Sequence, residues 1–337
     1  MTTDSRGDAV GTPSGRSRQL LAAVGVFFWT WLLARWAYHN TLLDSVTTAV
    51  GLPDLVRSDI GVSQREPWLP AEPFEGAADA IGGLAAALGP AGVLAEWLAW
   101  SFELAALATT AEPALAAGAF LTVYLTVIPM ALGLGIALPT AVARIYGGPI
   151  SSRLSLAFTE LVRGTPLLAQ LFFFYFALPL AGVIDSVWLM DLSGAPRTAA
   201  VVAIVAFTIN SAAYQAEYIR AALQSVDAGQ LTAARAVGLS KVQGIRHIVL
   251  PQGLRFAIPG WTNEFIYLLK YTSLAAFITV PELFRRAQNI GSDTFQYTDI
   301  YLIAALWYIA LVLTTALVMS KLEHHLAVPG VGRADRE

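Results

Sequence analysis

The sequence predicts an all-α membrane protein of about six spans, and three observations carry that prediction. First, 56% of the 337 residues are hydrophobic and 13% are charged, against about a quarter charged in an ordinary soluble domain; the mean hydropathy is +0.58. Second, apolar runs cover 20–38, 118–143, 165–184, 198–216, 258–280 and 300–320, each near the roughly 20 residues that cross a bilayer as a helix. Third, none shows the alternating ten-residue pattern of a barrel strand, and in lipid every peptide group needs an internal partner, so helices remain. The run at 258–280 is the least regular of the six.

Taken in order, residues 1–19 form a cytoplasmic tail and 20–38 an N-terminal transmembrane anchor. Arg16 and Arg18 precede that run as they would a signal peptide. Its exit, Trp31 to Tyr38 with Arg35 and Trp36, is bulky and offers no small-residue cleavage site, so the anchor is expected to stay uncleaved. Residues 39–117 are expected outside the cytoplasm. Their first half is turn-rich, with Pro53, Pro67, Pro70 and Pro73, and their second half, Leu84 to Thr109, is alanine-rich. Glu96 and Glu103 stand seven apart, on one helical face. That pattern suits a helix on the membrane surface, or packed on the core, better than a crossing one, because a carboxylate at the bilayer centre is costly. If the stretch does cross, a second hidden crossing is needed to keep the later loops in place. Residues 118–325 form a five-helix core containing a cytoplasmic loop at 217–257, and 326–337 a short cytoplasmic tail.

Lys and Arg collect on the cytoplasmic face, and that rule fixes the orientation. With residue 1 inside, Arg6, Arg16, Arg18, Arg144, Arg153, Arg163, Arg220, Arg235, Lys241, Arg246, Arg255, Lys321, Arg333 and Arg336 all fall inside, fourteen of the 21 basic residues. Six fall outside and Lys270 lies within a span. The destination is the inner, cytoplasmic cell membrane, crossed several times.

The loop EYIRAALQSVDAGQLTAARAVGLSKVQGIRHIVLP, residues 217–251, carries the clearest local signals. Asp227-Ala228-Gly229 breaks the helix that begins before it, and Gln230 follows. Leu231 to Val237, with Thr232, Ala233 and Ala234, is rich in alanine, the strongest helix former. Gly238 stands where a helix end takes a left-handed residue. Ser240 with Gln243 makes a capping box that opens the next helix, and Pro251 is expected to interrupt or kink that helix as the chain returns to the membrane. The product is a helix–turn–helix bracket at the cytoplasmic face, the form of a docking element.

The step from Ala233-Ala234 to Gly238, with Ile248-Val249-Leu250-Pro251 after it, resembles the EAA loop of ABC-importer permeases. Glu160-Leu-Val-Arg163-Gly164-Thr165-Pro166-Leu-Leu-Ala-Gln170 resembles the RGTP segment of the polar amino-acid permeases of the histidine/glutamate/glutamine/arginine/opine type. Lys270-Tyr271-Thr272-Ser273-Leu274 and Val280-Pro281-Glu282-Leu283 resemble that family's K-D-T-S-L and V-P-E-L segments. With Glu217-Tyr218 the match runs over roughly 116–322. Two positions depart from the pattern: Thr232 replaces the usual glutamate of the EAA triplet, and Tyr271 stands where aspartate is common.

The resemblance implies the permease subunit of an ATP-driven importer of polar amino acids. Its partners would be an ABC ATPase carrying ATP and Mg, a second permease copy or a homologous permease, and an extracytoplasmic solute-binding protein. The loop residues Gly229, Gln230, Thr232, Ala233, Ala234, Gly238, Ser240 and Pro251 would couple to the ATPase. Arg163, Thr165, Pro166, Gln170, Glu217, Lys270, Thr272 and Ser273 are the candidates for the translocation path. Lys270 lies midway along Trp261–Val280, where an ionisable side chain is functional by default. Thr272 and Ser273 are good N-caps, so the helix is expected to break and restart there, aiming free N–H groups at a substrate carboxylate. The alternative is that Lys270 pairs with Glu264 and stabilises the bundle.

Other chemistry is excluded. A P-loop needs Gly-Lys before Ser or Thr, and Lys241, Lys270 and Lys321 follow Ser240, Leu269 and Ser320; the ATPase is therefore another chain, and no cofactor is expected on this one. His39, His247, His324 and His325 form no spaced metal-ligand set, and no G-x-S-x-G elbow is present. Absence of cysteine removes disulfides and thiol catalysis, and a net charge of −3 argues against nucleic acid. Two rivals remain at this stage: an ion-gradient-driven secondary transporter, and a non-transporting membrane scaffold using the loop as an interaction site.

Overall fold

A computed structural model describes residues 15–50, 56–58, 60–178, 180–185 and 198–326. The termini with Arg6, Arg333 and Arg336, and residues 186–197 with Arg197, lie outside the described residues. All regular elements among the described residues are helical. They begin with α1 (Gly15–Tyr38), α2 (Thr41–Ala49), α3 (Glu72–Leu88) and α4 (Val93–Tyr146). The chain continues through α5 (Pro149–Arg163), α6 (Leu167–Phe172), α7 (Leu180–Asp185) and α8 (Thr198–Gln224). It closes with α9 (Ala228–Ala236), α10 (Lys241–Gly244), α11 (Leu250–Tyr271), α12 (Leu283–Thr294) and α13 (Tyr297–Leu326).

Three helical stretches among the described residues are long and apolar enough to cross a membrane: Glu72–Tyr146, Thr198–Gln224 and Tyr297–Glu323. The first contains the expected span 118–143 but is far longer. α4 alone has 54 residues, about 80 Å at 1.5 Å per residue, more than twice a hydrocarbon core of roughly 30 Å. The alanine-rich stretch 84–109 is therefore divided differently from the sequence expectation. Residues 84–88 end α3, the Gly89–Gly92 turn reverses the chain, and 93–109 is the first part of α4.

The reason lies in the seam between α3 and α4. Buried small residues recur every seventh position: Ala71, Ala78 and Ala85 on one arm, Gly92 at the turn, Ala99 and Ala106 on the other. A side chain at Gly92 would collide with the Ala85 carbonyl, and that register sets Ala78 opposite Ala99 and Ala71 opposite Ala106. Gly89, at φ +51°, supplies the left-handed turn.

Two expected spans are not single α-helices. The stretch 165–184 divides into an apolar helical segment Leu167–Ala177 and α7. Leu178, which precedes Pro179 in the sequence, is extended at ψ 138°, as proline demands of the residue before it. The stretch 258–280 runs as α11 to Tyr271 and then tightens into a 3-10 helix, Thr272–Ile278.

α4 is the common wall of the fold, contributing to all three apolar clusters. Ala111, Leu115 and Ala119 pack with Leu283 and Ala287 of α12 and Ile300 and Leu311 of α13. Leu125 packs with Leu171, Phe207 and Leu268, and Ala137 and Ala141 with Ile219, Leu223 and Val249. Where α4 meets α8 the contact is built on small residues. Added at Gly133, a Cβ would lie 3.2 Å from the Ala212 nitrogen and 3.3 Å from the Thr208 oxygen. Close backbone approach of this kind replaces the hydrophobic drive that lipid removes. Polar stitches add to it: the Gln215 amide donates to the Met130 carbonyl at 3.0 Å and to Ser211 Oγ at 2.9 Å.

α1 is fastened to the N-terminal half of this wall. Arg35 donates from Nε and Nη2 to both oxygens of Glu112 at 3.0 Å and also to the Glu66 carbonyl. The Trp36 indole donates to the Ala116 carbonyl at 2.8 Å, and that of Trp29 to Thr314 Oγ1 at 2.8 Å.

Candidate coupling and translocation sites

The 217–257 bracket forms as its sequence dictates. Asp227 caps α9, its carboxylate accepting from the Gly229 N–H at 2.6 Å. α9 covers Ala228–Ala236, slightly earlier than the expected 231–237, because that cap fixes its start. Gly238 follows at φ +89°, the left-handed position glycine fills at least cost. Ser240 opens α10 with both halves of a capping box: Gln243 N–H to Ser240 Oγ at 3.2 Å and Ser240 N–H to Gln243 Oε1 at 2.8 Å.

The bracket is closed by small residues on its inner side. Ala234 is buried, and a Cβ at Gly244 would meet Leu231 and Ala234. Lys241 Nζ ties it to the end of α4 by donating to the Tyr146 carbonyl at 2.8 Å. On the outer side Val237 is 78% and Val242 72% exposed, with Gln230, Thr232, Ala233 and Arg235 also exposed. Thr232 makes only a 3.5 Å contact to the Ala228 carbonyl. Pro251 does not break the returning chain. A π-wound segment, Ile245–Val249, precedes it, and Pro251 occupies the first turn of α11, where its missing N–H is least costly.

A second constellation joins α5, α6 and α8. Arg163 Nη1 stands 3.8 Å from Glu217 and its guanidinium carbon 5.3 Å from the Tyr214 ring centroid. Glu217 also accepts from Arg220, including at 3.0 Å from Nε. Thr165 and Gln170 shape the turn itself. The Thr165 hydroxyl donates to the Leu161 and Val162 carbonyls, while the buried Gln170 amide donates to Val162 O at 2.6 Å and Thr165 Oγ1 at 2.8 Å. Asn210 Nδ2 of α8 completes the set by donating to Gln170 Oε1 at 3.1 Å. Pro166 starts α6 from an extended conformation. Of these candidates, Arg163 and Glu217 keep charged groups partly open, whereas Thr165 and Gln170 are occupied in holding the turn.

Lys270, Thr272 and Ser273 form a third, separate place. Lys270 makes no ion pair with Glu264 among the described residues; its Nζ lies 4.7 Å from the Tyr267 ring centroid. It lines a cavity of about 390 Å³ with Ser273, Phe284, Tyr308, Ile309, Val312 and Leu313. The expected restart at Thr272 does not occur. Both hydroxyls donate backwards, Thr272 to Leu269 O at 2.7 Å and Ser273 to Lys270 O at 2.8 Å, and the chain goes on as a 3-10 helix. The restart comes instead at α12, where the Glu282 carboxylate accepts from Phe284 and Arg285 N–H at 2.9 and 2.8 Å. Those N–H groups are therefore satisfied internally rather than aimed at a ligand.

Two residues went unranked in the sequence. Glu282 is fully buried and also accepts from the Tyr308 hydroxyl at 2.8 Å; glutamate is not among the side chains that usually cap a helix, so its position in the sequence did not mark this role. Glu264 is buried on α11, and Arg163 is the cation whose field reaches it. No local pattern distinguishes that carboxylate, because the proximity of Arg163 is made by tertiary packing.

Residues 131–328 match the family model described as binding-protein-dependent transport system inner membrane component. The glutamine transport system permease protein GlnP of Escherichia coli strain K12 is 38% identical over 218 residues, 65% of this chain and 95% of its own length. The L-cystine transport system permease protein TcyB of Bacillus subtilis is 36% identical over 64% of this chain and 87% of its own. The nopaline transport system permease protein NocM of Agrobacterium fabrum is 36% identical over 58% and 81%. Among solved structures, an amino acid ABC transporter with histidines has a TM-score of 0.54 at 31% identity, covering 64% of this chain and 94% of that one. The MetNI methionine ABC transporter, at 21% identity and a TM-score of 0.54, shares the fold. The matched family region begins at residue 131, so α1, α2, α3 and the part of α4 before residue 131 precede it.

Proposed function

Because the chain belongs to the family of binding-protein-dependent transport system inner membrane components, we propose that it forms one half of a pore for polar amino acids, paired with a second copy or a homologous permease. It is the inner-membrane permease subunit of an amino-acid ABC importer, and ATP is hydrolysed on another chain. The observation that carries the finer reading is the bracket α9–α10, rigid within and bearing exposed Val237 and Val242 without. An ATPase cleft would take these side chains and move the bracket as a lever. With ATP and Mg on the partner, closure of two ATPases draws two brackets together and opens the pore outward. Hydrolysis then resets it, and a solute-binding protein delivers the substrate from the other side. In this reading α1 is an extra span beside a five-helix core made from the inner part of α4, the 165–184 segment, α8, α11 with its 3-10 extension, and α13.

Substrate passage would use Arg163 and Glu217 on the cytoplasmic side and Lys270 deeper in the span. The Lys270 ammonium, resting on Tyr267 with no paired acid among the described residues, is suited to the α-carboxylate shared by all amino acids. Glutamine, cystine and nopaline, named for the relatives, support a substrate among polar amino acids and their conjugates.

The test is uptake of labelled amino acids into proteoliposomes holding the permease, its ATPase and its binding protein. Uptake that requires ATP and is blocked by vanadate supports the importer, and uptake driven by an ion gradient without ATP contradicts it. In the same assay Lys270→Met should lower uptake at least tenfold, a loss of about 1.4 kcal/mol, with the ATPase still bound. Unchanged uptake removes Lys270 from the path.

A further inference from the structure

The α3–α4 hairpin has features that neither span nor core explains. Its alanine seam turns the larger side chains outward. At the tip Leu94 is 84% and Trp97 64% exposed, and Leu84, Leu88, Val93 and Leu98 are exposed beside them. Large apolar side chains exposed this close together along a hairpin tip mark a place of contact. The charge pattern around it is one-sided. From Glu66 to Ala143 the sequence has no Lys or Arg, while Glu66, Glu72, Glu75, Asp79, Glu96 and Glu103 are all exposed. The seventh acid, Glu112, is taken by Arg35. The hairpin is also held firmly against the core: the Trp100 indole donates to the Asp299 carboxylate at the start of α13 at 3.0 Å, and the Arg35–Glu112 pair fixes its base.

We infer that the α3–α4 hairpin is a docking arm for the importer's solute-binding protein, taking a surface on which Lys and Arg side chains rim an apolar patch. The inference rests on the extracytoplasmic placement of 39–117. Other occupants fit the charge poorly. Helices that lie in a lipid interface carry Lys and Arg on their polar face, and this arm has neither. A second copy would bring an equally acidic arm, and like charges set against each other disfavour pairing. A basic-rimmed protein surface gains from both features, with Trp97 as the kind of aromatic anchor that dominates such contacts. The arm's fixed base lowers the ordering cost of binding.

The experiment uses the complete transporter in proteoliposomes and the solute-binding protein that stimulates it. The readout is the binding-protein concentration giving half-maximal stimulation of ATP hydrolysis. Leu94→Ser with Trp97→Ser should raise it about tenfold or more, the loss of a hot spot worth roughly 1.4 kcal/mol. Glu96→Lys with Glu103→Lys should raise it too, and that effect should shrink in high salt. Equal recovery of ATPase-bound complex shows that the variants fold. An unchanged concentration in both variants overturns the proposal, as does a nitroxide on Trp97→Cys that reports acyl chains in place of water. Ala91→Cys separates the underlying placement from the docking claim. Labelling by an impermeant reagent from outside is expected, and labelling only from the cytoplasmic side overturns the placement and the arm together. Wild-type stimulation by the binding protein independently tests the importer reading.

Discussion

Gly238 shows how a single residue sets the geometry of the bracket. Its φ of +89° is open to glycine and strained for a β-branched side chain by about 1–3 kcal/mol. Gly238→Val should leave the permease inserted but weaken its hold on the ATPase, lowering substrate-stimulated hydrolysis several-fold; normal stimulation would remove Gly238 from the coupling mechanism. Thr232→Glu, at an exposed position with one long contact, should by contrast leave transport within error of wild type. Local chemistry of this kind was legible in the sequence. The left-handed glycine and the Ser240–Gln243 box depend only on neighbours within four residues, and both are present. The proposed restart at Thr272 fails for an equally local reason: a hydroxyl in a helix can donate back to a carbonyl as readily as accept from a free N–H, and Thr272 and Ser273 do the former.

At the scale of elements the sequence was less informative, because the decisive partners are far apart. Pairing of Arg35 with Glu112, 77 residues on, turns a plain apolar anchor into a helix latched to α4. Both side chains are largely buried, so removing one leaves the other uncompensated, at a cost of about 3–5 kcal/mol. Arg35→Met should therefore markedly lower the thermal unfolding temperature of the purified complex, and adding Glu112→Gln should recover much of the loss. An unaltered temperature for the single variant would mean that the Trp29, Trp36 and Trp307 contacts hold α1 without the ion pair. The continuity of α4 was likewise hidden. Glu96 and Glu103 suggest a surface or packed helix separate from the span at 118–143, whereas the seven-residue alanine spacing that lets α3 fold along α4 becomes meaningful only once its register is seen. Division of 165–184 was more accessible, since Leu178 precedes Pro179 and the residue before proline avoids the helical region.

For the whole molecule, composition and the positions of Lys and Arg gave the membrane class and an orientation, and α8 and α13 appear where apolar runs placed them. Sidedness has its own check. The chain lacks cysteine, so single substitutions report cleanly: Ser63→Cys should react with an impermeant thiol reagent on intact cells and Lys241→Cys should not, the reverse result inverting the molecule. The central claim is that a separate ATPase seats on the α9–α10 bracket, and its most direct measurement is site-specific crosslinking in the assembled transporter. A short bifunctional thiol reagent should join Val237→Cys to the ATPase in high yield and leave a control at Phe295→Cys, at the C-terminal end of α12, unjoined. Crosslinking at 295 with none at 237 would contradict the account.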